Sequence, residues 1–260
     1  MVSKTQSKDG VELAWSAAGT TNPDQPALVF IHGFAGDMNQ FTDQVEQFAP
    51  QHRVVRLDLA GHGQSGHDRA QWGVAAFADD GIAAMDAAEV DKGILIGHSM
   101  GGIVMLETAN RYPDRVAGLV AIDTLQNIEA LFPPGMLDQL VEGMKQAYAP
   151  TMEGFARALM IEATDPALAT RLVNEFIAMK PESAIGIMSS LTSIEVLPLF
   201  EKLNLPFYAI NSDMQPTNRT ALEGFLSRVE VEVLEKVGHF PQLEVTERFN
   251  QALDRAIKFM

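Results

Sequence analysis

The 260-residue chain contains no cysteine. That excludes a disulfide framework and any thiolate-held metal, and it suits a reducing, cytoplasmic setting. No run of about 18 apolar residues occurs, so no segment reads as a membrane span. The first ten residues, MVSKTQSKDG, carry lysines but no apolar stretch of the kind that makes a secretory signal. Basic residues are scarce: 19 Lys and Arg stand against 34 Asp and Glu, a net charge of −15. That balance repels nucleic acid and anionic lipid at long range, and neither is expected as a partner. Its simplest consequence is solubility.

Two further absences concern cofactors. His62 and His67-Asp68 put ligand-type residues close together, but there is neither a His-Glu-x-x-His helix nor a cysteine pair. A glycine-rich loop between strand and helix accounts for the spacing, and no metal is expected. Gly61, Gly63 and Gly66 do not make a dinucleotide loop either. They follow the second rather than the first predicted parallel strand, with no acidic residue ending a next strand about 20 residues on. No repeat or heptad pattern fixes the oligomeric state, which is left open between monomer and homodimer.

What is present is a hydrophobic content of 47%, enough to bury a large core within one domain. Asp9-Gly10 reads as a hairpin turn between two short N-terminal strands, the second over 11–16. The continuous apolar run 27–31 predicts a strand buried on both faces. A helix over 40–48, a strand over 53–58 and a helix over 74–88 follow. Next come a strand over 94–96, a helix over 103–110 and a strand over 116–122. Late strands over 207–210 and 229–234 are each followed by a helix. Such β-α-β alternation predicts an α/β fold: a mostly parallel sheet with helices on both faces. From 126 to 193 there is no strand-like run, only helix-like stretches rich in Leu, Met and Phe, broken at Pro133-Pro134, Pro150, Pro166 and Pro181. Inserted after the sixth strand, this segment is expected to lie as a lid across the carboxyl ends of the strands, where open α/β sheets bind ligands. Residues 1–125 and 194–260 would then form the core and 126–193 the cap. Met136, Met144, Met152, Phe155, Met160, Phe176, Met179 and Met188 are candidates for lining a pocket beneath it, with packing between cap helices as the competing fate.

The segment richest in chemistry is Gly97-His98-Ser99-Met100-Gly101-Gly102, set between an apolar strand and a helix. It is a G-x-S-x-G nucleophile elbow in its proper context. The turn is tight enough that side chains at the flanking glycines would clash, and it leaves the serine hydroxyl exposed at the strand's end. A helix starting at Met100 aims free N–H groups and the positive end of its dipole at that hydroxyl, favouring negative charge developing nearby.

With Phe30-Ile31-His32-Gly33-Phe34, the stretch from Leu57-Asp58 to Gln64-Ser65, the elbow, and Val237-Gly238-His239-Phe240-Pro241-Gln242-Leu243-Glu244, the chain resembles the α/β-hydrolase fold superfamily over its whole length. It is most similar to small, lidded bacterial serine esterases. One departure is Ala60, where relatives often carry proline. The resemblance implies an eight-stranded sheet and a catalytic triad. Ser99 would be the nucleophile, activated by a base, and His239, just past the eighth strand, would be that base. The backbone N–H groups of Phe34 and Met100 would form the oxyanion hole. Phe34 is also a candidate wall of the acyl pocket.

The acid has two candidates. The family's Gly-x-x-Asp pattern after strand seven puts Gln215 at the carboxylate position, and glutamine cannot stabilise an imidazolium as an anion would. That leaves Asp213, two residues earlier, and Asp123 at the end of strand six, a position from which some members of the fold supply their acid. Asp123 is favoured. The implied activity is carboxylester hydrolysis of a small molecule with no cofactor. Lactone cleavage, carbon–carbon hydrolysis, cofactor-free oxygenase or perhydrolase chemistry, and slow-turnover ligand sensing are alternatives on the same scaffold.

Overall fold

In the structure, a computed structural model that describes residues 1–20 and 25–260, the described residues form eight strands. They are β1 Ser3–Gln6, β2 Glu12–Ala18, β3 Ala27–Ile31, β4 Val54–Leu57, β5 Gly93–His98, β6 Val116–Ile122, β7 Phe207–Ser212 and β8 Val229–Leu234. They pair in the order β1-β2-β4-β3-β5-β6-β7-β8. Only β2 runs antiparallel to its neighbours; β3 to β8 are parallel. Every residue of β3, β5 and β7 is buried, as expected for strands covered on both faces.

Successive side chains along these strands feed two separate cores. Leu28, Phe30, Ile94, Ile96, Val120 and Ile122 face α1 (Thr42–Phe48) and the amphipathic C-terminal helix α11 (Thr246–Phe259), which contributes Phe249, Leu253 and Ile257. Val29, Ile31, Leu95 and Leu119 face α2 (Val74–Ala87) and α3 (Met100–Arg111). The helix expected over 40–48 is divided: a 3₁₀ turn, Met38–Phe41, precedes α1. The Arg56 guanidinium explains the break, since its Nη1 donates to both Met38 O and Thr42 Oγ1, each at 2.9 Å. That draws a carbonyl out of the helical ladder.

Between β6 and β7 lie α4 Met136–Gln146, α5 Tyr148–Ala158, α6 Pro166–Ala178, α7 Pro181–Leu191 and the short α8 Leu197–Phe200. Proline stands in the first turn of α6, α7 and α8, where its missing N–H costs nothing. This helical segment is tied to the rest by polar contacts: Gln40 Nε2 donates to Glu175 Oε2 at 3.1 Å, and His67 Nδ1 meets Ser183 Oγ at 3.0 Å. Short helices α9 Arg219–Phe225 and α10 Pro241–Glu244 complete the chain. Among the described residues no helix is long and apolar enough to cross a membrane.

A buried ion pair anchors the loop after β4. Arg69 forks onto Asp80, Nη2 to Oδ1 at 2.6 Å and Nη1 to Oδ2 at 3.0 Å, with both side chains fully buried. Asp80 also accepts from Ser7 Oγ and from the backbone N–H of Ala60 at 3.1 Å. Replacing Arg69 by methionine leaves Asp80 buried without its counter-charge. The expected cost is about 3–5 kcal/mol of stability, read as a lowered urea midpoint. A midpoint unchanged from the parent would show that the pair contributes nothing net.

Candidate active site

The elbow is built by close packing rather than by side-chain bonds. Ser99 has φ 53° and ψ −118°, a conformation that non-glycine residues adopt only where their surroundings impose it. The constraint comes from the flanking glycines. A Cβ on Gly97 would sit 2.3 Å from Gly101 O, and one on Gly101 would sit 2.3 Å from Ile31 O. The α3 N-terminus is thus pressed against the end of β3, and only glycine permits it. Met100 is the first residue of α3, where N–H groups lack an intrahelical acceptor. Phe34 follows β3 in the adjoining loop, whose own turn is closed by Gly36 N–H donating to Gly33 O at 3.1 Å.

His239 lies in the loop between β8 and α10. Its Nδ1 is 2.6 Å from Asp123 Oδ2, with the histidine side chain 15% exposed and the aspartate 3%. Asp123 stands directly after β6 with φ 42°, a left-handed conformation that aspartate tolerates better than most residues. Its Oδ1 accepts from Ser212 N–H at 2.6 Å and from Gln126 Nε2 at 3.2 Å. Burial pushes the Asp123 carboxyl up, but the hydrogen bond and charge of His239, with the Ser212 donors, outweigh it and hold the group below the ordinary aspartate value. With Nδ1–H donating to a carboxylate, Nε2 is the basic nitrogen of the neutral ring.

Asp213 is elsewhere. It is exposed, and its Oδ1 accepts from Lys236 N–H at 2.9 Å and Val237 N–H at 3.5 Å. The Lys236 amide is the main reason its carboxyl lies below the usual value. It fastens the loop that leads to His239. Gln215 lines the cavity.

Ser99, Asp123, His239, Phe34 and Met100 all border one cavity of about 180 Å3. Its walls are mainly apolar. Phe34, Phe155 and Phe176 meet pairwise at 5.8–6.4 Å between ring centroids, and Phe240 joins Phe176 at 6.5 Å. Of the methionines and phenylalanines expected at the pocket, Met136, Phe155, Phe176 and Met188 line it. Met144, Met152 and Met179 are instead buried in the core, and Met160 packs against it. Among the described residues lining the cavity there is no Lys or Arg.

Sequence reasoning missed two histidines here. His98, next to Ser99, is wholly buried; its Nε2 donates to His239 O at 2.7 Å and its ring lies 4.8 Å from that of His239. Burial first, and the neighbouring His239 second, push it down to about 3, so it is neutral near pH 7. His32 spans the loops after β3 and β4: Nδ1–H donates to Gly33 O at 2.7 Å and Nε2 accepts from Leu59 N–H at 3.0 Å. The only signal for either was its adjacency to a motif glycine or serine.

A family model described as the alpha/beta hydrolase fold matches residues 26–245. A dihydrolipoyllysine-residue acetyltransferase component of an acetoin cleaving system from Pseudomonas putida is 29% identical over 240 residues, covering 87% of this chain and 62% of that protein. The chain therefore spans less than two thirds of that relative's length. A 3-oxoadipate enol-lactonase from Acinetobacter baylyi is 23% identical over 254 residues, 95% of this chain and 94% of its own. The solved structure of an esterase from Exiguobacterium antarcticum superposes with a TM-score of 0.87 at 19% identity, covering 99% of this chain and all of that one.

Proposed function

The chain belongs to the α/β-hydrolase family, and from that premise we propose that it is a serine carboxylesterase acting on uncharged esters with a small to medium acyl group. The observation that carries this reading is the 2.6 Å Asp123–His239 pair opening onto the same cavity as a serine held at a strained elbow. Ser99 Oγ attacks the ester carbonyl carbon while His239 Nε2 takes its proton, and Asp123 stabilises the imidazolium that results. The tetrahedral oxyanion accepts hydrogen bonds from the Phe34 and Met100 amides. Collapse expels the alcohol, which takes the proton from His239 and leaves the acyl group on Ser99. Water, deprotonated by His239, then releases the acid and frees the serine.

Residues 126–193 act as the cap, with 1–125 and 194–260 as the core. Cap side chains border the cavity, Met136, Phe155, Phe176 and Met188 among them, and set acyl length. The absence of Lys and Arg from the described lining, in a chain of net charge −15, disfavours substrates carrying a free carboxylate.

The test is hydrolysis of p-nitrophenyl esters of increasing acyl length by the pure protein. Multiple turnovers are expected, best with short to medium acyl groups. Beyond the length the cavity holds, kcat/KM should fall by about tenfold per poorly fitting methylene. Absence of turnover on every ester would sink this reading in favour of lactone or carbon–carbon cleavage or ligand sensing.

A further inference from the structure

Asp123 orients the ring of His239, but something else must hold the backbone that carries it. Three successive amides, those of Gly238, His239 and Phe240, are each engaged. Gly238 N–H donates to Glu244 Oε2 and Phe240 N–H to Glu244 Oε1, both at 3.0 Å. One carboxylate therefore brackets the histidine from either side. A Cβ on Gly238 would lie 2.6 Å from Glu244 Oε1, so the glycine is what lets the carboxylate approach. The amide of His239 itself donates to Leu159 O at 2.9 Å. Leu159 caps the C-terminus of α5, in the helical segment between β6 and β7. That segment reaches the same brace a second time: Thr164 Oγ1 donates to Glu244 Oε2 at 2.7 Å and accepts from Ile161 N–H at 3.1 Å.

We propose that Glu244 is a positioning residue for His239, and that through Thr164 and Leu159 it couples the seating of the helical cap to the aim of that histidine. This rests on the esterase reading for its kinetic consequence, though not for its geometry. A carboxylate accepting three hydrogen bonds in a partly buried site holds its donors more tightly than a neutral acceptor would. When the cap is seated, all three amides of residues 238–240 have fixed acceptors. When it lifts, the His239 amide loses Leu159 and Glu244 loses Thr164, so the brace on His239 is reduced to the Glu244 bonds to Gly238 and Phe240, with nothing from the cap to hold that carboxylate in place. The base is thus aimed most firmly under a seated cap, which couples closure over the acyl group to the chemistry.

The experiment compares Glu244→Gln, Thr164→Val and Thr164→Ser with the parent. Glutamine at 244 replaces one acceptor oxygen by an NH2 group that cannot serve the amides, and valine at 164 keeps the threonine shape without its hydroxyl. Both are expected to lower kcat on a p-nitrophenyl ester by about tenfold with KM within about twofold, since a misplaced base slows chemistry rather than binding. The serine variant, which keeps the hydroxyl, should recover most of the loss seen with valine. The low-field proton resonance of the His239–Asp123 hydrogen bond should shift or broaden in Glu244→Gln and Thr164→Val alike. A lowered melting temperature with kcat and that resonance unchanged would overturn the proposal, as would a serine variant no better than valine. If the parent turns over no ester, the esterase reading fails, and the proton resonance still decides the role of Glu244. If Glu244→Gln does not fold, the two Thr164 variants decide it.

Discussion

Ser99→Ala is expected to lower kcat on any p-nitrophenyl ester by about five to six orders of magnitude, leaving KM little changed. The size of the loss follows from what the side chain does. No other hydroxyl is seated at the elbow, and the remaining machinery can only bind substrate and stabilise an oxyanion formed by direct attack of water. The fold should be untouched, because Ser99 contributes to packing through its backbone: its N–H donates to Ile122 O at 3.0 Å and its carbonyl accepts from Gly102 N–H at 2.9 Å. Alanine at φ 53° is no more strained than serine, so the melting temperature should stay within about 2 °C of the parent. Full activity in the alanine variant would remove serine catalysis from this protein.

The elbow was legible in the sequence because its constraint is local: the atoms that forbid a side chain at Gly97 belong to Gly101 and Gly102, within one turn of chain. The buried strands were legible for a related reason, since a parallel strand covered on both faces has no polar side to alternate with. The span between β6 and β7 stood out by lacking that signature, and α4 to α7, Met136 to Leu191, fall inside the 126–193 interval. What escaped was set by residues far apart in the chain. Glu244 meets Thr164 across 80 residues and Gln40 meets Glu175 across 135, and such side-chain pairs leave no period or motif. Which methionines reach the cavity was equally hidden, because Met144 and Met152 differ from Met136 and Met188 only in the direction their helix turns allow. The division of the helix at Thr42 depended on Arg56 from a neighbouring strand.

Asp123→Asn is expected to cost about 10^3 to 10^4 in kcat, whereas Asp213→Asn should change it by less than about threefold. Two aspartates follow adjacent strands, and the surroundings of each decide which loss is large. At Asp123, Oδ1 is already fixed by two donors, Ser212 N–H and Gln126 Nε2. An asparagine there keeps its carbonyl oxygen on those donors, and its NH2 is thereby turned toward His239. Facing a donor, Nδ1 must present its lone pair, which moves the ring proton to Nε2 and leaves the histidine unable to take one from Ser99. The negative charge that stabilises the imidazolium is lost in the same substitution. Asp213, by contrast, uses one exposed oxygen to accept from the Lys236 and Val237 amides, and an asparagine carbonyl accepts from them equally well. Activity in Asp123→Asn should not recover at any pH where the protein stays folded, since the defect is a tautomer rather than a titration. If Asp213→Asn shows the larger loss, the orienting carboxylate lies after β7 and the 2.6 Å contact of Asp123 is structural; equal small losses would leave His239 without a carboxylate partner in catalysis.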